Sequence, residues 1–195
     1  MVSIRKLVFA TNNLHKFNEI QKKIGAEILL LSLSDIGFSE EIPEIKNTIE
    51  ENASDKAYYI YNRFNINCFA DDTGLEIEAL SNEPGVYSAR YAGKNASFDD
   101  NMNKVLEKMS GISNRNAVFR TVISLVENGI EKQFEGRIKG KIAIEKKGNE
   151  GFGYDPIFIP EGYQSTFSEM SLTEKNKISH RAIAVNKLIQ YLKKK

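Results

Sequence analysis

Apolar residues fall in short bursts along the first third of the chain, separated by polar breaks. Residues 7–10 (Leu-Val-Phe-Ala) read as a buried strand that Thr11-Asn12-Asn13 interrupts. Residues 14–24 carry helical spacing and end at Gly25, and residues 28–31 form a second buried strand. An irregular stretch over 40–47 holds Pro43. It leads into a predicted helix over 48–64, with Ile49, Ala53, Ala57, Ile60 and Phe64 recurring on its inner face. Residues 66–70 predict a strand, and residues 74–80 alternate like a half-buried one. Pro84-Gly85 marks a turn, and 97–109 reads as a helix capped by Ser97. Residues 117–127 and 130–144 predict a hairpin around Asn128-Gly129. Residues 148–160, with three glycines and two prolines, read as a loop, and a last helix is predicted over 179–192. Strands alternating with helices, followed by a long hairpin, predict an α/β protein with a mixed β-sheet flanked by helices. No repeat or low-complexity linker divides the chain, which is expected to form a single domain.

Composition narrows the functional classes. The 195 residues, 41% hydrophobic and 27% charged, are ordinary for a globular protein. Lys+Arg 27 against Asp+Glu 26 leaves a net charge of +1, which speaks against a generally basic nucleic-acid binder. The lone cysteine, Cys68, allows no intrachain disulfide and fits a reducing interior. The first ten residues carry charge inside their apolar stretch and lack the core of a signal peptide. No apolar run approaches the roughly 20 residues of a membrane helix. The expectation is a cytoplasmic protein with no membrane and no nucleic acid among its partners. Lys193-Lys194-Lys195 reads as a solvated helix end, where cations suit the dipole.

Four stretches carry candidate chemistry. In Cys68-Phe69-Ala70-Asp71-Asp72-Thr73-Gly74, two like charges stand side by side where a buried strand is expected to end. Either they form a solvated turn, or a positive charge sits with them. Mg²⁺, which takes hard oxygen ligands, would supply that charge, and one carboxylate could deprotonate an attacking water. Glu44, after Pro43, could add a third carboxylate, although Glu40, Glu41, Glu50 and Glu51 are also near in sequence. Thr11-Asn12-Asn13-Leu14-His15-Lys16 lies between a strand and a helix. Free amides there could cradle phosphate with help from Asn13 and Lys16, or the stretch is an ordinary capped helix. Gly151-Phe152-Gly153-Tyr154-Asp155-Pro156 could clamp a flat ring, with Asp155 accepting from ring nitrogens, or its aromatics plug a core edge. Finally, Glu174-Lys175-Asn176-Lys177-Ile178-Ser179-His180-Arg181 gathers cations suited to a triphosphate or a keto-bearing base, or is a solvated helix end. With His15 and His180 as the only histidines and a single cysteine, a zinc site is not expected. No Gly-x-Ser-x-Gly nucleophile motif is present.

The order of these blocks is distinctive: Thr-x-Asn-x-x-Lys, Pro-Glu, Glu-Asn-Ala-x-x-Lys-Ala, Ala-Asp-Asp-Thr-Gly-Leu, Phe-Gly-Tyr-Asp-Pro and Glu-Lys-Asn-Lys-Ile-Ser-His-Arg. It resembles the inosine/xanthosine triphosphate pyrophosphatases, from Leu7 to about Ala184. The resemblance implies an elongated mixed sheet with two lobes and a central cleft, usually in a homodimer. It implies Mg²⁺-dependent cleavage of ITP, dITP or XTP to the monophosphate and pyrophosphate, with one or more ions per subunit and Mn²⁺ as a possible substitute. By position, Thr11, Asn12, Asn13, Leu14, His15 and Lys16 match the triphosphate loop. Glu44 and Asp72 match the metal-binding acids, Asp72 also the proton acceptor, and Asp71 an acidic neighbour. Lys56 matches a phosphate contact and Thr73 a substrate-contacting hydroxyl. Phe152, Gly153, Tyr154 and Asp155 match the base pocket. Lys175, His180 and Arg181 match residues around the 6-keto base and the phosphates. Asn12 stands where many members have glycine, and Ala89-Arg90 where some place a substrate-side lysine. A pyrophosphatase for modified pyrimidine nucleotides and a non-catalytic nucleotide-binding module are the alternatives.

Overall fold

The computed structural model describes residues 5–194. Among them run seven strands and five α-helices: β1 (Arg5–Phe9), α1 (Leu14–Gln21), β2 (Ile28–Leu31), α2 (Ile49–Phe64), β3 (Cys68–Ile77), β4 (Pro84–Gly85), α3 (Phe98–Lys108), β5 (Asn116–Glu127), β6 (Ile130–Ile142), β7 (Phe158–Pro160), α4 (Leu172–Ile178) and α5 (His180–Lys193). The strand order is β2-β1-β3-β5-β6-β7, with β4 paired to β3, so the fold is a mixed α/β sheet with flanking helices. The chain divides into two compact units. One is Met1–Asp72, Thr121–Gly136 and Arg181–Lys195; the other is Thr73–Arg120 and Arg137–His180. Met1–Ile4 of the N-terminal stretch and Lys195 of the basic tail lie outside the described residues, while Lys193 and Lys194 are exposed, as a solvated helix end requires.

In the first unit, β1 pairs in parallel with β2, Arg5 facing Ile28 through Val8 facing Leu31. Its other edge meets β3, with Val8 facing Cys68 and Phe9 facing Phe69. Side chains alternate across a strand, and here both faces are covered. Leu7, Phe9 and Phe69 join one apolar cluster with Ile20 and Leu188. Val8, Ala10, Cys68 and Ala70 join another with Ala57 and Ile60. Two-sided burial is why residues 7–10 and 68–70 are continuously apolar rather than alternating. The predicted inner face of α2 is borne out, and Thr48 caps that helix by accepting from the Glu51 N–H.

In the second unit, Leu75 and Ile77 of β3 pack with Val105, Met109, Phe158 and Phe167. Ser97 caps α3 through a reciprocal capping box with Asp100. The β7 strand runs antiparallel to β6, with Gly140 facing Pro160.

Several expectations change. The expected strand break at Asp71-Asp72 does not occur: β3 runs unbroken from Cys68 to Ile77. Pro84-Gly85 is a short strand antiparallel to β3. Within 148–160 the chain forms a short helical turn (Asp155–Ile157) and β7. α4 was not anticipated as a helix; Ser171 caps it with a Glu174 capping box, a signal present in the sequence. No helix among the described residues is long and apolar enough to cross a membrane.

Candidate active site

The first unit supplies a cluster of acids and cations, starting at the N-terminus of α1. The Thr11 hydroxyl oxygen accepts from the Asn13 N–H, and Asn13 Oδ1 accepts from the N–H groups of His15 and Lys16. Asn12 Nδ2 donates to the Glu40 carbonyl. Of the two readings of this stretch, the capped helix is present: Asn13 acts as the cap and satisfies two of the amides itself. Leu14 and His15 are exposed, and Lys16 turns inward. The charge that this loop offers is the Lys16 ammonium.

Strand geometry then separates the two aspartates. Consecutive residues of β3 project to opposite faces, as Phe69 and Ala70 do before them. Asp71 follows Phe69 to the side of α1 and α5. There Lys16 Nζ lies 3.1 Å from its Oδ1 and Arg181 Nε lies 3.3 Å from its Oδ2. Asp72 follows Ala70 to the side of α2, where Lys56 Nζ is 3.7 Å from its Oδ1. Both aspartates are buried. The positive charge expected beside them is therefore present as protein side chains, one set on each face. Lys56 Nζ also donates to Glu44 Oε1, so Glu44 and Asp72, 28 residues apart by number, share one ammonium.

The electrostatics are coupled. Burial works against ionisation of Asp71, yet Lys16, Arg181 and Lys56 outweigh it and hold its carboxyl well below the usual carboxylate range. Burial opposes the charge on Lys56, but Asp72, Glu44 and Asp71 keep its pKa above the ordinary value. Burial likewise opposes ionisation of Glu44, and Lys56 brings its pKa below the ordinary value all the same. Lys16 goes the other way: burial, with Lys56 and Arg181 nearby, lowers its pKa despite Asp71. An anionic ligand would relieve this cationic crowding.

Two contributors escaped the sequence reading. Glu19, one turn beyond Lys16 on α1, is buried and accepts from Arg181 Nη1 at 2.5 Å. Its spacing from Lys16 is the only signal the sequence offers. Asn52, one turn before Lys56 on α2, is buried and bonds the backbone of Lys46. Among the described residues no group of three or more His, Cys, Asp or Glu side chains is arranged to hold a metal. Even so, Glu44 and Asp72 bring hard carboxylate oxygens from separate segments to one cationic point. That donor chemistry fits Mg²⁺.

The second unit supplies an aromatic loop. Gly151 and Gly153 take φ of +78° and +64°, a region costly for other residues, and a Cβ on Gly151 would strike the Asp155 carboxylate. Asp155 Oδ2 accepts from the Phe152 N–H at 2.8 Å and from Lys175 Nζ at 2.7 Å. The carboxyl expected to accept from ring nitrogens is thus engaged in bracing its own loop. The Lys175 ammonium also lies 4.9 Å from the Phe152 ring centroid. Tyr154 is buried and donates to the Ser88 carbonyl at 2.8 Å, and burial pushes its pKa up. Half-buried Phe152 stands 6.1 Å from the partly exposed ring of Phe98, ring centroid to ring centroid. His180 stacks on Phe119 with ring centroids 4.4 Å apart. Thr73, half-buried, is the first residue of this unit on β3. His180 and Arg181, neighbours in sequence, belong to different units.

The chain matches the Ham1 family over residues 7–191. A dITP/XTP pyrophosphatase of Flavobacterium psychrophilum is 54% identical over 188 residues, covering 96% of this chain and 99% of that one. One from Bacillus subtilis is 43% identical over 198 residues, covering 98% and 99%. Among solved structures, a HAM1 protein from Coxiella burnetii superposes with a TM-score of 0.90 at 38% identity, over 98% of this chain and 100% of that one. The Staphylococcus aureus Ham1 protein gives 0.88 at 39% identity, over 97% and 98%.

Proposed function

This chain belongs to the Ham1 family, and from that premise we propose that it hydrolyses the non-standard purine nucleoside triphosphates ITP, dITP and XTP to the monophosphate and pyrophosphate. The observation that carries the reading is the splitting of Asp71 and Asp72 onto opposite faces of β3, each beside its own cations. That arrangement keeps one buried acid tied to Lys16 and Arg181. It leaves the other beside Glu44 and Lys56, where a proton acceptor and a phosphate-binding cation are needed.

In this reading Lys16 and Lys56 bind phosphate oxygens, exchanging part of their pairing with carboxylates for pairing with the substrate. Asp72 takes the proton from a water whose oxygen attacks the α-phosphorus. The α–β bridging bond breaks, and its electron pair leaves on pyrophosphate. Glu44 and Asp72 would hold Mg²⁺, which when bound supplies charge neutralisation on the phosphate oxygens; Asp71, the third acid of the set, is held on the other face of β3 by Lys16 and Arg181. Phe152 offers a ring face to the purine, and the Lys175 ammonium is the donor suited to a 6-keto oxygen. Adenine presents an amino group there, and each buried donor left unpaired costs about 1–3 kcal/mol. We place the enzyme in the cytoplasm, as a homodimer.

The test is pyrophosphate release across ITP, dITP, XTP, GTP, ATP, UTP, dUTP and a methylated dCTP, with Mg²⁺ and with EDTA. Turnover confined to the inosine and xanthosine nucleotides and lost with EDTA is expected. A preference for the pyrimidines, or tight ITP binding with no Mg²⁺-dependent turnover, would reject the assignment.

A further inference from the structure

Glu44 sits in a segment without regular structure. From residue 41 to residue 46 the backbone forms neither helix nor strand, and Ile45, next to Glu44, is 79% exposed. A carboxylate on such a segment has no fixed place unless something outside it grips the chain. α2 provides that grip at two points one turn apart. Lys56 takes the Glu44 carboxylate by its side chain. Asn52, four residues earlier and only 1% exposed, takes the backbone two residues on. Its Oδ1 accepts from the Lys46 N–H at 3.0 Å, and its Nδ2 donates to the Lys46 carbonyl at 3.3 Å. The side-chain amide thus pairs with both backbone groups of one residue as a neighbouring strand would, and both ends of a buried amide are satisfied. The exposed Lys46–Asp55 pair, at 3.4 Å, adds little by comparison.

We infer that Asn52 is a positioning residue for Glu44: by clamping the Lys46 backbone it fixes where the Glu44 carboxylate stands, and so sets the affinity for the divalent cation. This rests on the function proposed above, in which Glu44 is a metal ligand. Only asparagine supplies a donor and an acceptor at this reach. Aspartate keeps the shape and the acceptor but loses the donor, and alanine loses both.

The probe is Mn²⁺ titrated into the nucleotide-free full-length protein and followed by the EPR signal of the free ion, beside the Mg²⁺ half-saturation of turnover. Asn52→Ala, Asn52→Asp and Glu44→Gln are compared with wild type. Asn52→Ala is expected to weaken Mn²⁺ binding and raise the Mg²⁺ half-saturation by about 10–100-fold, with nucleotide KM at saturating Mg²⁺ nearly unchanged. Faster amide exchange over 44–47 should accompany it. Asn52→Asp, isosteric and expected to fold even where the alanine variant does not, should fall between the two. Asn52 variants with wild-type Mn²⁺ affinity, beside a weakened Glu44→Gln, overturn the inference and leave the function standing. Wild-type affinity in Glu44→Gln, or no Mn²⁺ binding by the wild-type protein, overturns the metal assignment and this inference with it.

Discussion

Asp71 and Asp72 show how much one residue's setting matters. They are the same amino acid, side by side and both buried, yet the pleat gives them different partners. For Asp72→Asn the protein should stay folded, since the substitution is isosteric, while pyrophosphate release from ITP falls by about 10²–10⁴-fold, the usual scale of a lost general base. Circular dichroism checks the first half and a coupled phosphate assay the second. Asp71 carries a stability signature. Its native pKa is depressed, so the stability from its ionisation is present in full above the ordinary 3.8 and is lost as the pH falls below it. Removing Lys16, the largest favourable charge upon it, raises that native pKa. Lys16→Met should therefore lose less stability than wild type along the acid limb of urea unfolding below pH 3.8, and level off at a higher pH. Identical acid limbs would mean that the Lys16–Asp71 pair does not set Asp71's ionisation.

At the scale of elements, caps and close approaches decide more than propensity. Thr48, Ser97 and Ser171 each accept from the N–H three residues on, so the starts of α2, α3 and α4 are written in short local motifs. The C-terminal end of α1 and the existence of β7 are not. β7 forms because Gly140 of β6 has no side chain. A Cβ there would strike the Ile159 carbonyl and the Phe158 ring. Gly140→Ala should therefore lower stability by about 1–3 kcal/mol in urea unfolding, the usual scale of overpacking. Gly25→Ala, where a Cβ meets nothing within 4 Å, should stay within about 0.5 kcal/mol of wild type. Equal effects at the two glycines would refute the packing account of β7.

At the scale of the whole molecule, the proposed homodimer predicts a solution mass twice the 22.0 kDa of the chain, measurable by light scattering at micromolar concentration. A mass that stays at one chain would remove the dimer from the reading without touching the chemistry, because the acid–cation cluster and the aromatic loop are each complete within one chain.

Legible in the sequence alone were the helices with capping signals, the continuous apolar strands, the hairpin at Asn128-Gly129 and the charged residues of the cluster other than Glu19. Those follow from local rules of periodicity, capping and turn chemistry, which act within a few residues. It also held the block order that placed the chain among the nucleotide pyrophosphatases. It took the packed fold to show that β3 runs straight through Asp71 and Asp72, that Asp155 is bound to Lys175, and that Glu19 and Asn52 join the acid–cation cluster and its support. The ion pairs among these depend on a partner farther along the chain, as Arg181 is from Glu19. A buried charge is stabilised by whichever opposite charge the fold carries to it, and sequence spacing does not encode that distance.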